Sequence, residues 1–316
     1  MPLDTGRCSV GSSERDEPLA GTAPVARRWV LVEHPGPWAK QPLDTPPFAG
    51  ALGQRLDVAL THHNARLLLI RRTGRQLEES EARLWRVVDT QTGDSITGTW
   101  LTERDLDEVI TALADVNGPF AEPSPPMTLV CTHGIRDACC AIKGRPIAGM
   151  LSRDLDEEVW ECSHLNGHRF AGTALLLPEG ACYGRLDQAD ALRVIRAHRS
   201  GRTVVERLRG LTRLPAPAQA AHVWGLAELT RREPTAATRG RSTGIAWAST
   251  ITLRRGRCPR PSACSIATCP VAERLPWWFR NVARRGISPT CRCAWKRWAR
   301  RWPNPKPGIK GRSRIR

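Results

Sequence analysis

The chain has 316 residues, 41% of them hydrophobic and 25% charged, with a formal net charge of +17. That length allows about two domains with buried cores, while no run approaches the roughly 18 uncharged apolar residues of a membrane helix. Lys and Arg number 28 against 30 acids in residues 1–233 but 20 against one acid, Glu273, in residues 234–316, so the body is near neutral and its global charge does not mark a nucleic-acid binder.

Residues 1–24 are small and polar and read as a loose N-terminal extension. The first 14 hold no apolar stretch of signal-peptide type, so the cytoplasm is the expected compartment. In a reducing compartment the 11 cysteines read as metal ligands or redox thiols rather than disulfides. Residues 25–118 read as an N-terminal α/β half. Trp29 to Glu33 is a short apolar run of strand type, and Ala65 to Arg72 (ARLLLIRR) is a second. Leu84 to Asp89 and Ser95 to Leu101 read as a hairpin about Thr92-Gly93-Asp94. Thr102 is placed to cap a helix in which Leu106, Val109, Ile110 and Leu113 follow at i, i+3, i+4 and i+7. Four prolines and a glycine within residues 117–126 (NGPFAEPSPP) mark a linker, set at 119–126.

Residues 127–233 read as a second unit. Met127 to Cys131 is a strand, and Ala138 to Leu151 is helical, with Gly144 and Pro146 expected to break it. Glu158 to Cys162 and Thr173 to Leu177 are strands, and Pro178-Glu179-Gly180 turns the chain into Cys182 to Leu186. Asp187 caps a helix with Leu192, Ile195 and Ala197 inward; further helices are expected over Thr203 to Leu211 and Ala216 to Arg231. Strand, helix, strand, hairpin, helix is the order of a thioredoxin-like unit. The expected fold class is therefore α/β: a thioredoxin-like domain, with a mixed sheet flanked by helices, preceded by a smaller α/β half and followed by an unstructured basic tail. The first half is a candidate degenerate relative of the second, although no sequence repeat supports the kinship.

The tail, residues 234–316, holds six of the 12 Trp, five of the 11 Cys and none of the eight His. Its aliphatic content is too low and its charge too high for a packed core. Arg297, Arg300 and Arg301 with Trp295, Trp298 and Trp302 would suit a nucleic-acid arm. Cys258, Cys264, Cys269, Cys291 and Cys293 have spacings that fit no common zinc module. Richness in Arg, Trp, Cys and Pro with almost no acid fits an out-of-frame translation of a GC-rich gene better than either. Nucleic acid is a partner only if the tail is genuine.

The residues that carry chemistry come in two clusters, Cys131 to Cys140 (CTHGIRDACC) and Cys162 to Phe170 (CSHLNGHRF). Each follows an expected strand, and in an open α/β sheet the C-terminal strand ends line up on one edge. Two thiols and two imidazoles are expected to converge there, a donor set for zinc or an iron–sulfur cluster rather than magnesium or calcium. The first pair is C-x8-C, longer than the C-x2–4-C of a zinc finger. A [2Fe–2S] cluster with cysteines on one iron and histidines on the other has a precedent in Rieske centres, whose own spacing is absent here. Cys139, Cys162 and Cys182 read as packing or spare thiols. His133 reads as a loop residue satisfied by backbone, and His62 and His63 as solvated. Arg136, Arg145 and Arg169 flank the motifs, as a docking rim for an acidic redox partner or as a solvated edge. Asp154, Asp156, Glu157 and Glu158 read as a charged surface turn and not as a glycosidase pair.

With these motifs, Cys131-x8-Cys140 and His164-x3-His168, the chain resembles the sucrase/ferredoxin-like family. That family is itself similar to the thioredoxin-like [2Fe–2S] ferredoxins, where a CxxxC pair stands in the place of HxxxH here. Thr173 to Gly184 (TALLLPEGACYG) and Trp29 to Trp38 (WVLVEHPGPW) also resemble it, so the resemblance spans about residues 28–231. It implies an electron carrier rather than a catalyst with its own substrate. It also implies a [2Fe–2S] cluster held by Cys131 and Cys140 on one iron and by His164 and His168 on the other, with Cys139 an alternative to Cys140. Two rival readings stand beside it. One is a thiol–disulfide oxidoreductase through Cys139 or Cys140, which lacks the C-x-x-C spacing. The other is a structural zinc domain.

Overall fold

The apolar runs of the body become strands, and their order sorts them into two like halves. The computed structural model describes residues 8–74 and 82–232. It begins with α1 (Cys8–Glu14) and continues through β1 (Arg28–Glu33), α2 (Ala51–His62), β2 (Ala65–Arg71), β3 (Arg83–Asp89), β4 (Asp94–Trp100), α3 (Asp107–Asp115) and the short β5 (Glu122–Pro123). The same succession then returns as β6 (Met127–Cys131), α4 (Ala138–Asp154), β7 (Glu158–Cys162), β8 (Ala174–Leu177), β9 (Ala181–Tyr183), α5 (Gln188–Arg199) and β10 (Leu208–Leu211), with α6 (Ala216–Arg232) after it.

All ten strands share one sheet, in the order β10-β9-β8-β6-β7-β2-β1-β3-β4-β5. β6 and β7 are parallel, joined by α4, and β8 and β9 continue antiparallel beyond β6. The order β9-β8-β6-β7 with those directions is the thioredoxin-like plan. β4-β3-β1-β2 has the same directions and the same intervening helix, so the first half is the same unit by topology. Each half ends in one added antiparallel edge strand, β5 on β4 and β10 on β9. The halves meet where β2 and β7 pair antiparallel through Ile70 with Cys162 and Arg71 with Glu161. The C-terminal ends of β2 and β7 therefore lie side by side.

Successive strand residues face opposite sides of the sheet, and here both sides are covered, which explains unbroken apolar runs. Trp29, Leu31, Leu68 and Ile70 share one core with Leu129, Cys131, Trp160 and Cys162, so this face belongs to both halves. The alternate residues pack separately: Val30, Val32, Leu67 and Leu69 with Leu52, Leu56 and Leu60 of α2, and Val130 and Val159 with Ile147 and Leu151 of α4.

Four sequence expectations are corrected. Residues 8–24 are packed rather than loose: Arg185 donates to the carbonyls of Ser12 at 2.8 Å and Glu17 at 2.7 Å, and Ala23 N–H donates to Gln219 at 3.1 Å. The α2 helix stands where no element was expected. Thr203 to Leu211 is no helix; a single turn at Val205–Arg207 leads into β10, because pairing with the open edge of β9 outweighs local propensity. α4 runs through both expected breaks. Pro146 leaves only the Ile142 carbonyl without its helical donor, at an exposed position where water can replace it. The expectations for residues 234–316 fall outside the described residues. Among the described residues no helix is long and apolar enough to cross a membrane.

Candidate metal centre

β6 and β7 end level with each other, and backbone bonds hold the two following loops together. Thr132 N–H donates to the Cys162 carbonyl at 3.1 Å, and Cys131 N–H to the Thr173 carbonyl at 3.0 Å. The first loop, residues 132–137, is short because Asp137 starts α4 at once: its carboxylate accepts Cys139 N–H at 2.8 Å as an N-cap. Consecutive helical residues point about 100° apart, so Cys139 and Cys140 leave the first turn in different directions. Gly144 lets α4 lie on the strand that bears Cys131, since a Cβ there would sit 2.0 Å from the Cys131 carbonyl oxygen. In the second loop Gly167 adopts φ 71°, and a Cβ on it would lie 2.4 Å from the Arg209 guanidinium. Arg209 is fully buried and donates to the Asn166 carbonyl at 3.0 Å and to Thr22 Oγ1 at 3.2 Å, which ties the histidine loop to the N-terminal segment.

Three of the four residues expected to ligate are brought together. The Sγ atoms of Cys131 and Cys140 and a ring nitrogen of His164 lie within 4.8 Å of one another. His164 Nδ1 stands 3.9 Å from Cys131 Sγ and 3.7 Å from Cys140 Sγ. His168 is one step away. Its ring centroid is 6.0 Å from that of His164, and its Nδ1 meets Asp137 Oδ2 at 2.7 Å and Cys8 Sγ at 3.0 Å. Cys139 does not join the first group; its Sγ faces Cys8 Sγ at 3.5 Å, and Cys8, Asp137 and Cys139 form a second group within 4.8 Å. Nothing in the sequence but its residue type sets Cys8 apart.

Charge in the first group is shared. The hydrogen bond from Cys140 and the nearby His164 hold the Cys131 thiol well below the ordinary range despite burial. Its partner moves oppositely: the bond to Cys131 and then burial push the Cys140 thiol far up. The pair thus favours one thiolate and one thiol. Burial raises Cys162 and Cys182, both fully enclosed in the shared core, in keeping with packing roles. His133 is buried, edge-on to Trp38 with centroids 5.8 Å apart, and burial lowers its pKa against the opposing pull of Cys131 and of the Trp38 and Ala39 backbone. His63 is not simply solvated, since Arg28 lies 2.9 Å from its Nδ1.

The flanking charges also find places. Arg145 is exposed; Arg169 pairs with Glu17 at 3.1 Å and lies over the Phe170 ring at 4.4 Å. Glu157 pairs with Arg199 at 2.6 Å and Glu158 with Arg86 at 3.0 Å, so both carboxylates serve the fold. Two buried thiols with one imidazole form a donor set for thiophilic metals, and hard cations are ill matched to it.

The sucrase/ferredoxin-like family model matches residues 19–210. No curated protein matches the chain. Among solved structures, a cysteine-to-serine variant of the thioredoxin-like [2Fe-2S] ferredoxin from Aquifex aeolicus is similar at 13% identity, over 26% of this chain and 96% of its own, with a TM-score of 0.24. A superposition that loose carries no argument, and the thioredoxin-like plan rests on strand order and direction instead. The family match, by contrast, covers more than half of the 316 residues and both loops of the centre, and the chain belongs to the sucrase/ferredoxin-like family.

Proposed function

We propose that the protein is an electron carrier holding one [2Fe–2S] cluster on Cys131, Cys140, His164 and His168. The observation that carries this reading is the meeting of two buried thiols and the His164 imidazole within 4.8 Å at the ends of β6 and β7, with His168 on the same loop. Bound there, the cluster supplies one-electron transfer, at a potential that imidazole ligation moves from the roughly −400 mV of plant-type ferredoxins toward the roughly −150 to +300 mV of Rieske centres.

The chain's own residues prepare that site. Ligation requires deprotonated thiols, and the lowered Cys131 supplies one thiolate in advance. Asp137 holds His168 at Nδ1, and a carboxylate so placed orients an imidazole ligand. Cys131 and Cys140 are buried, whereas the His168 side chain is 43% exposed, so the histidine edge faces an incoming partner. Arg169, next to His168 in the chain, and the exposed Arg145 of α4 suit an acidic redox protein. Six free thiols among the described residues suit the reducing cytoplasm, where we place the protein.

Anaerobic purification tests the reading. The expected product is coloured, with about two irons and two acid-labile sulfides per chain. Colourless protein with stoichiometric zinc would instead make this a structural zinc domain, and colourless metal-free protein would point to thiol chemistry. Replacing His168 by Cys is expected to keep the cluster and lower its potential. An unchanged potential would remove His168 from the ligand set.

A further inference from the structure

The ligand set above leaves two thiols and a carboxylate beside it unused. They gather around His168. Cys8 Sγ lies 3.0 Å from His168 Nδ1, 3.5 Å from Cys139 Sγ and 3.9 Å from Asp137 Oδ2, while His168 Nδ1 lies 2.7 Å from Asp137 Oδ2. Zinc bonds of about 2.3 Å to sulfur and 2.0–2.2 Å to nitrogen and oxygen place neighbouring donors of a tetrahedron roughly 3.3–3.8 Å apart. The Cys8–Cys139 and Cys8–Asp137 spacings already match, whereas His168 Nδ1 lies outside the Cys8–Asp137–Cys139 group, so its ring must turn toward Cys139 to complete the tetrahedron. We propose that Cys8, Asp137, Cys139 and His168 form a mononuclear site for a thiophilic divalent cation of the zinc class in the cluster-free chain.

The site is built, not casual. Cys8 comes from α1, separated in sequence from Asp137 by 129 positions, and α1 is fixed from both sides of the loop. Arg185 grips the Ser12 and Glu17 carbonyls, and Arg169 pairs with Glu17. Asp137 and Cys139 are set by the first turn of α4. Two thiols, an imidazole and a carboxylate form a borderline-soft donor set that selects zinc or cobalt over magnesium or calcium. Binding expels the protons of Cys8 and Cys139, so the cation replaces two protons and the carboxylate leaves the filled site with one net negative charge. This inference goes beyond the cluster reading and shares only His168 with it. Cys131, Cys140 and His164 stay together in a separate group. A cation held here occupies His168 and so competes with completion of the cluster's ligand set.

Cobalt(II) titrated anaerobically into full-length, iron-free protein is the probe. The expected signature is thiolate-to-cobalt charge transfer together with the strong visible bands of a tetrahedral ion. Cys8→Ser and Cys139→Ser are each expected to weaken that component by at least about 100-fold, beyond the 10–100-fold of an outer-sphere partner. Cys131→Ser is expected to keep it. Each reading is a difference from the parent, so cobalt taken up by tail cysteines such as Cys258 and Cys264 cancels. Having two variants guards against a folding defect in either, as judged by unchanged circular dichroism. Parent-like affinity in folded Cys8→Ser and Cys139→Ser, or loss of the same component in Cys131→Ser, overturns the site. Iron and sulfide analysis of the same proteins keeps the two readings apart. Cobalt uptake through Cys8 in a chain that never takes a cluster supports this site and sinks the electron carrier. A cluster-bearing chain with no Cys8-dependent cobalt does the reverse.

Discussion

The two halves share one plan and differ at one place. In each, two parallel strands joined by a helix end beside an antiparallel pair, and the open strand ends face the seam. After β6 the chain enters α4 within residues 132–137, which sets Cys139 and Cys140 against Cys131 and the histidine loop. After β1 residues 34–50 intervene before α2, and the loop spends its polar groups on itself. His34 Nδ1 accepts from Gly36 N–H at 3.0 Å, its Nε2 meets the Pro46 carbonyl at 2.9 Å, and Trp38 Nε1 donates to the His34 carbonyl at 3.0 Å. The first half has its own buried polar cluster, but an ionic one. Fully buried Asp89 accepts from Arg27 at 2.9 Å, Arg28 at 3.2 Å and Asn117 at 3.2 Å. The same scaffold thus carries structural ions on one side and thiophilic donors on the other; topology fixes where a site can form, and the side chains decide whether it does.

The largest effect that separates the halves is all-or-none. Cys140→Ser is expected to abolish iron and acid-labile sulfide, while His34→Ala, in the matching loop of the first half, is expected to leave both at parental levels. Iron loss in His34→Ala would show that the first half shares in the centre and would break the contrast.

Much of this was legible in the sequence because strand burial leaves a direct trace. WVLVE, LLLI, MTLVC and ALLL are short apolar runs, and each became a strand. The two motif loops could be placed together because parallel strands end on one edge. The kinship of the halves could not, since it lies in strand order and direction rather than in residues. α2 leaves a weak trace: Leu52, Leu56 and Leu60 recur at helical spacing, but Gly50, Gly53 and Asp57 dilute the signal. β10 exists because β9 offers an open edge, a tertiary cause with no local sign. Cys8 reaches Cys139 across 131 positions of sequence, a contact no spacing rule detects. Gly144 read as a helix breaker because its packing against Cys131 shows only once strand and helix are assembled.

Next in size is the ionic cluster. Asp89→Asn leaves Arg27 and Arg28 without a buried counter-charge, and breaking such a pair costs about 3–5 kcal/mol. Denaturant unfolding should show that loss, with iron per folded chain unchanged. Gly144→Ala probes the second half. Its Cβ would overlap the Cys131 carbonyl, and overpacking of this kind costs about 1–3 kcal/mol. Here iron retention is expected to fall together with stability, because the displaced strand bears a ligand. Unaltered iron retention in Gly144→Ala would mean that the centre tolerates movement of β6.

Acid separates the polar groups of the first half most finely. Burial lowers the His34 pKa, so its folded value lies below its unfolded one. Its contribution to stability is full above about pH 6.5 and is lost as pH falls toward the depressed value. Asp89 is also lowered: burial opposes this, but Arg27, Gln91 N–H and Arg28 outweigh it. Its contribution is full above about pH 3.9 and disappears as pH falls through the folded value. Stability measured from pH 7 to 3 should therefore decline in two stages, and a single group sets a slope of at most about 1.4 kcal/mol per pH unit. His34→Ala should remove one proton's share of the upper stage and leave the lower intact, while Asp89→Asn should flatten the lower stage only. If both variants keep the parent's acid profile, neither group is the source, and the ionic cluster of the first half owes its stability to packing rather than charge.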